Sequence, residues 1–292
     1  VKDFNYLAPK SLGEALKLLA EHRGATKVLA GGTDLMLQLQ DGMWAPDYVV
    51  GVRDISDLNV LSYDAANGLT IGAATPLRQI ETSAIVREKY PHLAAAAGEI
   101  GSVQIRNLGS IGGNMCTATP SADGVPALVA LDATARIASV RGERSVPVRE
   151  FFTGVRRTVL EPDELLVDVR IPAPAPYTSG EYVKLDTRPQ MDLAIVGVAA
   201  TVTWAPHVGV IKSAAICLGA VATTPIRVPE AEEILAGREP TDDVIAAAGA
   251  AAARAARPIS DVRASADYRR EQCDLMTRRA IRRALDRARS AA

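Results

Sequence analysis

"RNLGSIGGNMCTATPSAD", residues 106 to 123, sets Gly109, Gly112 and Gly113 among small residues and closes on an acid, Asp123. A second stretch, "KVLAGGTDLM" from Lys27, repeats the theme with Gly31 and Gly32. Glycine permits positive φ and lets another molecule approach the backbone. Exposed N–H groups in such a turn, or at a helix start, attract anions. Both stretches are therefore candidate phosphate cradles. Two cradles far apart in sequence can converge on the two phosphates of one dinucleotide. Either stretch alone also reads as an ordinary tight turn.

The surrounding pattern places the cradles. "ATKVLA" reads as a short buried strand broken by Gly31 and Gly32, and "TDLMLQLQDG" as a helix starting near Thr33 or Asp34. Upstream, "SLGEALKLLAEH" opens with Ser11 and Glu14, a capping-box pair. Downstream, "YVVGV" reads as a second strand, and Asn67-Gly68 marks a hairpin within "SYDAANGLTIGA". "TPLRQIETSAIVREKY" and "HLAAAAGEI" read as helices. "GVPALVALDATARIASV" passes from helix to strand, and "PDELLVDVRIPAP" is a strand closed by prolines. "APAPYTSGE" from Ala173 reads as a joint. Long strand-like runs follow, then three helices, the last of them arginine-rich with a solvated face.

The 292 residues allow one large domain or two medium ones. A hydrophobic content of 48% is enough for a sizeable core, and only 4% aromatics means that Ala, Val, Leu and Ile must build it. A net charge of -1 gives no electrostatic reason to expect nucleic acid. Cys116, Cys217 and Cys273 are odd in number and lack metal-ligand spacing, which fits a reducing compartment. Cys116 is expected to act as a small buried hydrophobe. No apolar run is long enough for membrane insertion, and "VKDFNYLAPK" has no apolar stretch after its charge. A cytoplasmic protein without a signal peptide is expected. No G-x-G-x-x-G follows the first strand, and G-x-x-x-x-G-K-[ST], H-E-x-x-H and G-x-S-x-G are missing. His22, His92 and His207 are isolated, and lone acids such as Asp123 and Asp192 read equally well as turn caps.

"KVLAGGTDLM", "QIRNLGSIGGNMCTATPSAD", "YVKLDTRPQMDLAIVGVAA" and "ATTPIRVPEAEEILAG" occur in that order. Together they resemble the FAD-binding medium subunit of molybdenum hydroxylases, the group of carbon monoxide, xanthine, and aldehyde or N-heterocycle dehydrogenases. The resemblance covers essentially the whole chain. It implies an α+β fold of the vanillyl-alcohol-oxidase (PCMH) type over residues 1–175, with subdomains of about 1–55 and 56–175. It also implies a C-terminal α+β domain over 176–292, with a three-stranded antiparallel sheet and helices.

The same resemblance implies non-covalent FAD. From the first motif it assigns Lys27, Val28, Leu29 and Ala30, then Gly31, Gly32, Thr33 and Asp34. From the second it assigns Gly109, Ser110 and Ile111, then Gly112, Gly113 and Asn114, with Thr117 and Asp123 following. Leu166 and Lys184 match further FAD contacts, and Ile100 matches a position bordering the flavin where some relatives carry an aromatic residue. Residues 186–192, "DTRPQMD", correspond to a mobile loop beside the isoalloxazine ring. No catalytic side chain and no metal ligand is implied in this chain. The molybdenum cofactor is expected on a large partner subunit and [2Fe-2S] clusters on a small one, in a dimer of heterotrimers that delivers electrons to an external acceptor. Thr33-Asp34 replaces the His-Ser pair usual in carbon monoxide enzymes, which argues against that substrate. The cysteine-rich insertion of the 4-hydroxybenzoyl-CoA branch is absent from the sequence. The alternatives are a self-contained flavin reductase or oxidase of the same fold, and a scaffold subunit without flavin.

Overall fold

A computed structural model describes residues 1–188 and 190–290. Pro189, within the loop anticipated over 186–192, and residues 291 and 292, at the end of the anticipated C-terminal domain, lie outside the described residues.

The N-terminal lobe is a parallel three-stranded sheet in the spatial order Asn5–Leu7, Tyr48–Gly51, Thr26–Leu29. Parallel neighbours need crossovers, and the helices Leu12–Glu21 and Leu35–Gln40 lie in them. The first is capped as its sequence predicts. Ser11 Oγ accepts from the Glu14 N–H at 3.2 Å, and Glu14 Oε2 accepts from the Lys10 N–H at 2.7 Å. Its apolar face buries Ala15, Leu16 and Leu19.

The second lobe is an antiparallel sheet in the order Leu61–Asp64, Gly68–Gly72, Leu165–Ile171, Thr134–Ser139, Gly142–Pro147. Asp64 Oδ1 gathers the N–H groups of Ala66 and Asn67 and so closes the Asn67-Gly68 turn, with Gly68 at φ +86°. The run expected as one helix from Thr75 is two, Leu77–Thr82 and Ala84–Lys89. Ser83 between them is extended and ends one helix while starting the next. The glycine-bearing second motif also departs from expectation. It forms two short helices, Val103–Leu108 and Ile111–Thr117, whose starts are capped by Ser102 Oγ and Ser110 Oγ.

The C-terminal part is an antiparallel sheet of Thr178–Leu185, Val196–Ala205 and Val210–Gly219. A two-residue strand, Ile226–Arg227, is added beyond the three expected. Both faces of this sheet are buried. Val196, Val198, Ala200 and Val202 pack with the helices Pro229–Leu235, Asp242–Ala255 and Ala266–Ser290. Tyr182, Ala199, Ala215 and Cys217 join the core of the second lobe. Apolar side chains on both faces explain why these strands read as continuous apolar runs. Tyr90, fully buried, donates to Pro172 O at 3.0 Å and anchors the joint that leads into this sheet.

Candidate functional site

A cleft of about 790 Å³ is bordered by residues of both glycine motifs, the Leu165–Ile171 strand and the segment at Met191–Leu193. The two motifs touch each other. A Cβ on Gly31 would fall on the Leu108 carbonyl and 2.8 Å from Gly109 Cα, so Gly31 exists to let one motif's backbone lie against the other's. Gly32 follows at φ +75°. Thr117 Oγ1 spans the motifs, 2.9 Å from Gly113 O and 3.3 Å from Asp34 Oδ2.

The backbone N–H groups divide unevenly. In the second motif Ile111 donates to Thr75 O at 3.2 Å, Gly112 to Ala73 O at 2.9 Å and Gly113 to Ser110 Oγ at 3.1 Å. The start of that helix is thus satisfied from within. In the first motif the N–H groups of residues 31 to 34 donate to no atom among the described residues. These four amides, half-buried or exposed on the cleft wall, are the groups able to meet an anion. Gly112 is a spacer, since its Cβ would lie 2.6 Å from Ala73 O. A Cβ on Gly113 would meet only Ser110 Oγ, at 3.1 Å, beside the opening.

The floor is polar and closely partnered. Asp123 lines the cleft and is 6% exposed. Tyr182 donates its hydroxyl to Asp123 Oδ1 at 2.7 Å, and Lys184 Nζ donates to Oδ2 at 3.2 Å. Burial pushes the Asp123 carboxyl up to about 6, against the opposing pull of Lys184 and Tyr182. Burial also holds the Tyr182 phenol well above its ordinary value, so its proton stays in place. Lys184 donates as well to Glu99 O at 3.2 Å and Asp192 O at 2.9 Å. Asp192 in turn caps its own loop. Its Oδ2 accepts from the Thr187 hydroxyl and from the Thr187 N–H at 2.8 Å, and its Oδ1 from the Leu193 N–H at 2.9 Å. The Thr187 hydroxyl and N–H pull its carboxyl down to about 2. Asn114 Oδ1 is buried without a donor among the described residues.

All but Leu29, Ile111 and Lys184 of the residues expected from sequence line the cleft. Leu29 turns its side chain toward Gly32, Ile111 is fully buried in the core, and Lys184 stands behind Asp123. Cys116 is exposed on the cleft wall, where a buried hydrophobe was expected. Tyr182, Trp44 and Arg156 were not anticipated. Only Tyr182 had a local signal, as it lies two residues before Lys184 and so shares its strand face.

Residues 2–174 match the family model described as the FAD binding domain in molybdopterin dehydrogenase, and residues 181–284 match the CO dehydrogenase flavoprotein C-terminal domain. The chain belongs to the FAD-binding subunits of the molybdopterin dehydrogenase family. It is similar to the nicotinate dehydrogenase FAD-subunit of Eubacterium barkeri, 36% identical over 81% of each chain. It is similar also to the glyceraldehyde dehydrogenase medium chain of Sulfolobus acidocaldarius, 33% identical over 96% of this chain and 98% of that one. Among solved structures, carbon monoxide dehydrogenase from Hydrogenophaga pseudoflava superposes with a TM-score of 0.94 at 33% identity, covering 98% of this chain and 99% of that one. Quinoline 2-oxidoreductase from Pseudomonas putida 86 gives 0.91 at 31%, covering 98% of each.

This member of the FAD-binding subunits is a flavoprotein component of an oxidoreductase. The residues present suit the cofactor. Amides 31 to 34 offer unused donors to a diphosphate, Asn114 Oδ1 is an unused acceptor for a hydroxyl, and the cleft volume lies in the range of small-molecule sites. Among the described residues no helix is long and apolar enough to cross a membrane.

Proposed function

We propose that this subunit holds one non-covalent FAD in the cleft, receives electrons from [2Fe-2S] clusters of a small subunit and passes them to an external acceptor. A large subunit carrying the molybdenum cofactor performs the substrate oxidation. The reading extends to a dimer of such heterotrimers in the cytoplasm, with the FAD-binding part over 1–175 and the second part over 176–292. The observation that carries it is the state of the polar groups at the cleft: four amides of residues 31–34 are free to bind, while the Tyr182 hydroxyl is committed to Asp123. The site is built for holding and orienting rather than for proton transfer to a substrate.

Bound FAD supplies electron transfer in single or paired steps. The chain's own residues do the rest. Amides 31 to 34 donate to the diphosphate, and Asn114 and Asp123 present acceptors to the ligand's hydroxyl and N–H groups. Lys184 holds Asp123 ionised at neutral pH and ties it to the loop at Asp192. The relatives add support. Identity stays between 31% and 36% to proteins named for nicotinate, glyceraldehyde, carbon monoxide, xanthine and quinoline. Similar identity to subunits named for such unlike substrates supports a part common to all of these complexes rather than one that selects the substrate.

A self-contained flavin enzyme is the second reading, and exposed Cys116 in the cleft is the observation in its favour. Anaerobic reconstitution separates the two. Flavin in the isolated chain is expected to stay oxidised with aldehydes, purines or N-heterocycles, and to be reduced by one of them once the molybdenum and iron–sulfur chains are added. Bleaching of the isolated chain by such a substrate would establish the second reading instead.

A further inference from the structure

Lys27, Arg156 and Arg157 border the cleft, and none has an acidic partner among the described residues. Lys27 Nζ rests 3.4 Å from the centre of the Trp44 indole. Arg156 Nη1 rests against the thioether of Met43, the residue before Trp44. A thioether is a weak neutral acceptor, and an indole face holds a cation without neutralising it. Both side chains are therefore docked without a carboxylate partner, Lys27 half-buried and Arg156 exposed to solvent. Lys27, Met43 and Trp44 belong to the parallel-sheet lobe. Arg156 belongs to the hairpin of Phe152–Gly154 and Arg157–Thr158 in the other lobe, so the Arg156–Met43 contact crosses the rim of the cleft.

The backbone aims Arg156. Its φ is +57°, a left-handed conformation that glycine takes freely and arginine does not. It is held there by its N–H, which donates at 2.8 Å to the carbonyl of Ala118, itself left-handed at φ +47°. Ala118 ends the helix Ile111–Thr117, and Thr117 contacts Asp34 at the end of the free amides 31 to 34. Arg156 and the free amides thus converge on one end of one helix. Asp34 places a negative charge beside those amides, and a diphosphate brought to them needs cations close by to offset it.

We propose that Arg156 and Lys27 form a cationic clasp that closes on the diphosphate of the bound dinucleotide, with Met43 and Trp44 holding the two side chains until it arrives. The clasp selects a diphosphate ligand over a flavin mononucleotide. It rests on the reading of the cleft as the FAD site.

The test is titration of the flavin-free full chain with FAD, ADP and FMN. Trp44 fluorescence is the readout, in a Trp204→Phe background that leaves Trp44 as the sole tryptophan. FAD and ADP are expected to change Trp44 emission as Lys27 leaves the indole. Arg156→Gln should weaken both by about tenfold, the order of one charge-assisted hydrogen bond. It should also flatten the salt dependence of FAD affinity and leave FMN affinity nearly unchanged. Arg156→Lys should recover most of the loss, which a folding defect at the hairpin would not do. FAD and ADP binding in Arg156→Gln equal to wild type overturns the clasp while the FAD site stands. So does an Arg156→Lys chain as weak as Arg156→Gln. A wild-type chain that binds neither FAD nor ADP overturns both the clasp and the site.

Discussion

Lys184 Nζ lies 3.2 Å from Asp123 Oδ2, with side chains only 4% and 7% exposed, across a separation of 61 positions. Burial raises the Asp123 carboxyl from 3.8 to about 6 despite that partner. The folded chain therefore holds this proton more tightly than the unfolded chain. The associated stability is complete below 3.8 and is lost as pH rises through about 6, a change on the order of 3 kcal/mol. Asp123→Asn should remove this slope in urea unfolding of the flavin-free chain. Lys184→Met should move it to higher pH, because the remaining carboxylate loses its counter-charge. An unaltered slope in either variant would detach Asp123 from the titration.

His92 titrates in the opposite sense. It is fully buried, with Nε2 3.1 Å from Thr201 Oγ1. Burial first, and the Arg287 charge second, hold it down to about 3 from an ordinary 6.5. Its folded pKa is depressed, so its contribution is present above 6.5 and lost as pH falls toward about 3. His92→Gln should lower stability at neutral pH through lost packing and flatten the acid limb. Between about pH 4 and 6 the His92 and Asp123 effects oppose one another, so the single variants should differ in the sign of slope they remove.

Two adjacent glycines should fail differently. Gly112→Val drives a branched side chain into Ala73, and a cost of about 2–4 kcal/mol is expected in thermal or urea unfolding. Gly113→Val meets only Ser110 Oγ at 3.1 Å, so the flavin-free fold should lose less than about 1 kcal/mol while FAD occupancy falls. The ratio of flavin to protein absorbance, beside the unfolding curve, checks both. Full flavin occupancy in Gly113→Val would remove that position from the ligand's path.

Asp192→Ala should loosen its loop without emptying the cleft. The carboxylate holds the N–H groups of Thr187 and Leu193, and its pKa of about 2 means that this capping is lost only as pH falls from 3.8 toward that value. Faster exchange of the Thr187 and Leu193 amides is expected, with FAD retained and the rate of flavin reoxidation altered. Unchanged exchange and reoxidation would leave the carboxylate without a role in the loop.

The parts of this molecule that sequence reveals are those held by near neighbours. Ser11 with Glu14, and Asn67 with Gly68, act over three residues or one, so their patterns carry the structure directly. The first glycine motif falls between a strand and a helix for the same reason. The second motif reads as a cradle or tight turn because glycine permits positive φ and marks turns, and each interior glycine disfavours a helix by about 1 kcal/mol. Packing of Gly112 on Ala73 and the Ser110 cap override that preference. Asp123, which the resemblance assigns to the ligand, lies on the cleft wall, yet its partners are not legible, since no local period links position 123 to 182 and 184. The pairing of Arg156 with Met43 is equally non-local.

The two matched regions meet between residues 174 and 181, but the Asp123 carboxylate lies before that junction and both of its side-chain donors lie after it. Recombination between relatives at this junction is consequently not neutral. A chimera receives a buried acid from one parent and must find a tyrosine and a lysine, two positions apart on the first strand, in the other. Shuffled libraries of such subunits should be sieved by that compatibility before any partner chain is added, and the surviving crossovers would mark which lineages share the triad.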